Sequence, residues 1–193
     1  MLHQDSDATS LLEHSPRCRV ALPVFCVAEA IARFRTLERE ARDFRTKLEQ
    51  SRHEATRMDL QAAASLATAL ETATREQDLL LTTLRKELST FMDRLFASSV
   101  EQVPTDGEIV RRSNDYVQRL ELSRGDAIVL ATIVEHASKH PDVRPPVGFL
   151  SGNTRDFGPS RPAGEVLRHA GIEFFAKPAA ALGWMTSKQS ESL

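Results

Sequence analysis

Breakers are scarce in the first half of this chain: all eight glycines fall at or after Gly107, and no proline lies between Pro23 and Pro104. With Ala, Leu, Glu, Arg, Gln and Thr filling residues 24–103, the summed propensity predicts two or three long helices there. Cysteine is almost absent, with only Cys18 and Cys26, which excludes a disulfide-built miniprotein and points to a reduced compartment. Excess charge of one sign is missing too. The balance of 25 basic against 27 acidic residues, a net charge of -2, excludes a protein that coats duplex nucleic acid through a global basic field, so any such contact is local. The longest apolar stretches, residues 20–32 and 126–134, are too short and too interrupted to span a bilayer, and the polar, acidic opening MLHQDSDATS does not read as a signal peptide. What is present, 193 residues with 41% hydrophobic and 27% charged, suffices for one domain with an ordinary core. The expectation is a cytoplasmic protein with no membrane partner.

Within the helical stretch, Val27, Ile31, Phe34, Ala41, Phe44 and Leu48 mark one stripe of a first helix. A second series, Leu60, Ala63, Ala67, Leu70 and then Leu81, Leu84, Leu88, Phe91, Leu95, steps by three and four but breaks at Thr74 and Gln77. A continuous coiled coil would keep that register. An antiparallel hairpin, turning either at this gap or between residues 51 and 59, fits the pattern. The remainder alternates short apolar runs with helical patterns: strands at 19–23, 99–103, 147–150 and 172–175, and helices at 106–120, 126–139 and 163–170. Strict alternation predicts an α/β fold with a parallel sheet and right-handed crossovers. Ligands of such sheets gather beyond the carboxyl ends of the strands.

Three acidic residues stand near those ends: Glu29, Asp126 and Asp156. Each has a local explanation. Glu29 suits the first turns of a helix, Asp126 can close a capping box opened by Ser123, and Asn153 with Asp156 can build a turn. Taken together, three carboxylates on one rim repel unless a cation sits between them, and hard oxygen donors select Mg²⁺ or Mn²⁺. Such an ion polarises a phosphate and acidifies a bound water, so hydrolysis of a phosphodiester is the reaction class implied. His136 and His140, spaced i, i+4, have neither an HExxH pattern nor a third ligand and do not read as a zinc site.

The stretch PVFCVAE (23–29), then GDAIVLAT (125–132) and FLSGNTRDFG (149–158), with AGIEFF (170–175) trailing, resembles the PIN domain family, metal-dependent nucleases that usually cut RNA. The matches cover residues 19–31 and 101–184 in the family's order. The resemblance implies a PIN-like, Rossmann-like parallel-sheet core over residues 1–193 with a long helical hairpin inserted at 34–96. It also implies Mg²⁺ or Mn²⁺ held by Glu29, Asp126 and Asp156, with Asn153 as the polar residue beside them. RNA is then the substrate, with room for a protein inhibitor or a homodimer. The alternative is a PIN-like module that binds RNA or protein without cleaving.

Two departures from the family bear on that choice. Its first strand, with an acid at the end, has no equivalent here; residues 7–14 read as a helix ended by Pro16, and Asp5 and Asp7 follow no β-run. That predicts a truncated copy or an internal start, with impaired stability and activity. The insertion is also far longer than the family needs, and it carries arginines among acids. Pairs such as Glu38 with Arg42 and Arg39 with Asp43 make a solvated helix face, whereas Arg35, Arg39 and Arg42, with Arg155 beside the last acid, make a phosphate-tracking set.

Overall fold

The computed structural model describes residues 10–11, 19–58, 61–139 and 147–190. Asp5, Asp7, the expected 7–14 helix beyond Ser10 and Leu11, Cys18 and His140 lie outside the described residues. Those residues form two compact units, one from the chain up to Val27 together with Ser98 onward, the other from Ala28–Ala97.

The parallel-sheet α/β core is not what forms. Helix accounts for 77% of the described residues and strand for 9%, and the strands make two separate two-stranded parallel sheets. In the first, β1 (Ala21–Pro23) pairs with β2 (Glu101–Val103). In the second, β3 (Val147–Leu150) pairs with β4 (Ile172–Phe175). Alternation of strand and helix along the chain is real, but among the described residues no strand joins one ladder to the other. A sheet continuous enough to carry a Rossmann-like core therefore does not arise. With only three residues each, β1 and β2 offer few ladder bonds, and Pro23 lacks an N–H to donate.

The second unit is a pair of long helices. Helix α1 (Val24–Thr56) enters it from β1, and α2 (Gln61–Ala97) follows a short connection. The turn falls between residues 56 and 61 and not at the polar gap; Thr74 sits inside α2 and its hydroxyl donates to the Leu70 carbonyl at 2.9 Å. Ion pairs between Glu38 and Arg85 at 2.5 Å and between Arg45 and Asp78 at 3.1 Å fix the two helices as antiparallel, since one residue number rises by as much as the other falls.

In the first unit, α3 (Gly107–Leu120) and α4 (Arg124–Lys139) pack side by side. The Asp106 side chain accepts from the Ile109 N–H at 2.9 Å and starts α3; Glu121, at φ 56°, ends it. Arg112 on α3 reaches Glu135 on α4 at 3.0 Å. After β3 come α5 (Thr154–Phe157), α6 (Pro162–His169), β4 and α7 (Pro178–Ser190). Leu122, Ala127, Leu130, Phe149, Phe157, Ala163, Leu167 and Ile172 form one buried cluster, in which Phe149 and Phe157 meet edge to face at 5.2 Å. Gly164 closes this arrangement. A Cβ there would collide with the Gly158 carbonyl oxygen, so α6 lies directly against the end of α5.

Candidate functional site

Two of the three acids come together above that core. Asp126 sits in the first turn of α4 and Asp156 in α5, and each precedes a buried residue, Ala127 and Phe157. Packing of those neighbours, Ala127 fully and Phe157 at 2% exposure, fixes where the two carboxylates begin. Asn153 joins them. Its amide nitrogen donates to Asp126 Oδ1 at 2.9 Å and to Asp156 Oδ2 at 2.8 Å, so both hydrogens of one NH₂ group are spent on two like charges.

Asn153 is itself held in place. Its backbone N–H donates to the Ser151 hydroxyl at 3.2 Å, and its Oδ1 accepts from the Asp156 N–H at 3.3 Å, capping α5. Ser123 does the same for Asp126: the hydroxyl accepts the Asp126 N–H at 3.2 Å and donates to Asp126 Oδ2 at 2.5 Å. The capping box expected at Ser123 and Asp126 is therefore formed, and the same Asp126 carboxylate also meets Asn153. Asp126, Asn153 and Asp156 are half-buried, open to solvent on one side.

Glu29 is exposed on α1, in the helical unit. Among the described residues no group of three or more His, Cys, Asp or Glu side chains is placed to hold a metal ion. What stands together within the first unit is a pair of aspartates with an amide. His136 lies 3.9 Å from Glu101, within an ion-pair setting and not a ligand set.

Of the basic residues singled out, Arg42 reaches Glu38 at 4.0 Å, as the solvated-face reading predicts, while Arg35 and Arg39 are exposed on the same helix. Arg155 is exposed within α5 beside Asp156, and Arg124, which sequence reasoning did not weigh, is exposed at the start of α4. Each carboxylate thus has a cation on its own segment. The signal for Arg124 was available, because it lies two residues before Asp126. The Asn153 bridge carried no such signal, because it spans 27 residues of sequence.

No helix among the described residues is long and apolar enough to cross a membrane. Comparison of the chain with family models, with curated proteins and with solved structures returned no match.

Proposed function

We propose that this chain is a divalent-cation-dependent endoribonuclease, acting in the cytoplasm, whose centre is Asp126, Asp156 and Asn153. The observation that carries the reading is the convergence of two carboxylates from separate elements on one amide nitrogen, at a solvent-reached edge. The two stretches that resemble metal-dependent nucleases, GDAIVLAT and FLSGNTRDF, are the two that meet here. The ligand atoms that Asp126 and Asp156 offer are carboxylate oxygens, hard donors that suit Mg²⁺ or Mn²⁺. Mg²⁺ in particular is commonly held by one or two carboxylates with water and substrate phosphate completing its shell. When bound, the ion supplies polarisation of a phosphate oxygen and a more acidic water.

The chain's own part is positional. Ser123 and Asn153 fix the rotation of Asp126; Asn153 and the α5 backbone fix Asp156; Arg124 and Arg155 offer positive charge to a phosphate backbone. A second reading, an RNA- or protein-binding module that does not cleave, is favoured by one observation: no third acid joins the pair among the described residues.

Calorimetric titration with Mn²⁺ and cleavage of single-stranded RNA with Mg²⁺ test both. The parent chain is expected to bind the ion and cut, and Asp126→Asn to bind at least tenfold more weakly while keeping its fold, because the amide still accepts from Ser123. Equal affinity in the two proteins removes the ion from this site. RNA binding without cleavage selects the second reading.

A further inference from the structure

We infer that the helical unit is a self-association arm: a second copy of the chain docks antiparallel on one face of the α1–α2 hairpin, with the two-fold axis near Phe44. The unit has two unlike faces. Along α1 the row Phe34, Ala41, Leu48 and Ala55, seven residues apart, points to α2, partly buried at its first three positions and buried at Ala55. On one flank of this row lie Glu38, Arg45 and Arg52, and on that side Glu38 and Arg45 pair with Arg85 and Asp78 of α2. The groove on this side is lined by Glu49, Arg52, Glu71, Thr74, Arg75 and Asp78, all charged but Thr74.

The other flank carries exposed apolar residues, interrupted by Ser51 of α1 and by Glu87 of α2. It holds Leu37, Phe44 and Met58 of α1, which are 43%, 51% and 58% exposed. From α2 it holds Leu66, Leu80 and Phe91, which are 52%, 50% and 45% exposed. With the antiparallel register set by the ion pairs, Met58 is level with Leu66 and Phe44 with Leu80. The six therefore share one face. Exposed large apolar side chains gathered on one face mark an interaction site.

Charge at its rim names the occupant. Beside the Leu37, Phe44, Met58 row runs Arg33, Glu40, Lys47 and Glu54, again seven apart and alternating in sign. Reversal of this row opposes Arg33 to Glu54 and Glu40 to Lys47, so an antiparallel second copy meets opposite charge at every rim position. A parallel copy meets like charge. The same dyad brings Phe44 against Phe44 of the other copy. About a two-fold at Phe44 the residues 37–51 of the two copies overlap over about 21 Å, and two helices make the face about 20 Å wide, giving roughly 840 Å² buried in total, the size of a weak interface.

Sedimentation equilibrium on the full chain is expected to show association toward twice the chain mass as concentration rises to about 100 μM. Phe44→Glu, at an exposed position that keeps the helix, is expected to give the single mass with unchanged helical circular dichroism. Glu40→Lys alone is expected to weaken dimerisation several-fold, and Glu40→Lys with Lys47→Glu to restore it. A parent chain of single mass up to about 100 μM, where even a weak interface of this size assembles, overturns the inference. So does a dimer that Phe44→Glu leaves intact, or a double exchange that fails to restore what Glu40→Lys lost.

Discussion

Replacing Asn153 by alanine is the most direct probe of the site, because that one side chain makes three of its bonds. Two are N–H donations to carboxylates, at 2.9 Å and 2.8 Å, and the third caps α5 through Asp156 N–H. A hydrogen bond to a charged group contributes about 1.5–3 kcal/mol when buried. These are half-buried and exchange partly with water, so about 1 kcal/mol each is the working figure. Loss of the cap adds about 1 kcal/mol, giving a cost of about 3 kcal/mol for Asn153→Ala. The assay is urea unfolding followed by fluorescence of Trp184, the only tryptophan. It packs on Phe175 at 5.1 Å and so reports on the unit that carries the site.

Asn153→Asp sharpens the test. It keeps an oxygen for the cap but turns both donors into an acceptor, so three carboxylates face one another. The cost is expected to equal or exceed that of alanine without divalent ions. Addition of Mn²⁺ at a hundred times its dissociation constant is expected to return about 2.7 kcal/mol by mass action. An Asn153→Ala variant within about 0.5 kcal/mol of the parent, the range of ordinary surface changes, would refute the claim that this amide holds the carboxylates together.

Two further outcomes follow from local geometry. Gly164→Ala drives a methyl group into the Gly158 carbonyl and is expected to destabilise the site-bearing unit by about 1–3 kcal/mol in the same unfolding assay. For pH, the Ile109 N–H bonded to Asp106, and more weakly the nearby Lys139 ammonium, hold the Asp106 carboxyl below its ordinary value. A carboxyl depressed in the folded state gives stability that is present above its unfolded value and lost as pH falls through the folded one. Asp106→Asn is accordingly expected to flatten the loss of stability below about pH 4, the unfolded carboxyl's range, and a pH profile identical to the parent's would contradict that assignment.

What the sequence disclosed and what it hid divide along physical lines. Strands at 147–150 and 172–175 were legible because each is an apolar run between breakers, and the structure places β3 and β4 on those residues. Asp126 and Asp156 were legible as candidates, with Glu29, because they stand near predicted strand ends, and the structure brings the two aspartates to one amide. Helix α5 was read as a turn, since four residues offer no periodicity and its start depends on the Asn153 cap. Helix α7 was missed because PAAALGWMTSKQS has no apolar stripe to count. Phe44 was read as part of the buried stripe of α1, yet it is 51% exposed. Periodicity reports which residues share a face but not how much of that face a single partner helix can cover. Continuity of the sheet was likewise beyond reach, because alternation along the chain does not state whether two ladders join.

In an open parallel sheet, the strand ends themselves bring acids from distant segments to one rim. Here the sheet is interrupted, and Asp126 and Asp156 are nevertheless adjacent, so something else sets their separation. It is the packing of α4 on the core through Ala127 and Leu130, and the seating of α5 through Phe157 against Phe149, with Asn153 spanning the gap. The N-terminal dipole of α4 favours a negative charge at Asp126, and the amide supplies donors to both carboxylates, which together offset the repulsion of bringing them close. A site built this way depends on a few neighbouring contacts and not on the order of strands. Its chemistry therefore stands or falls on the trio itself, and likeness of fold lends it no support.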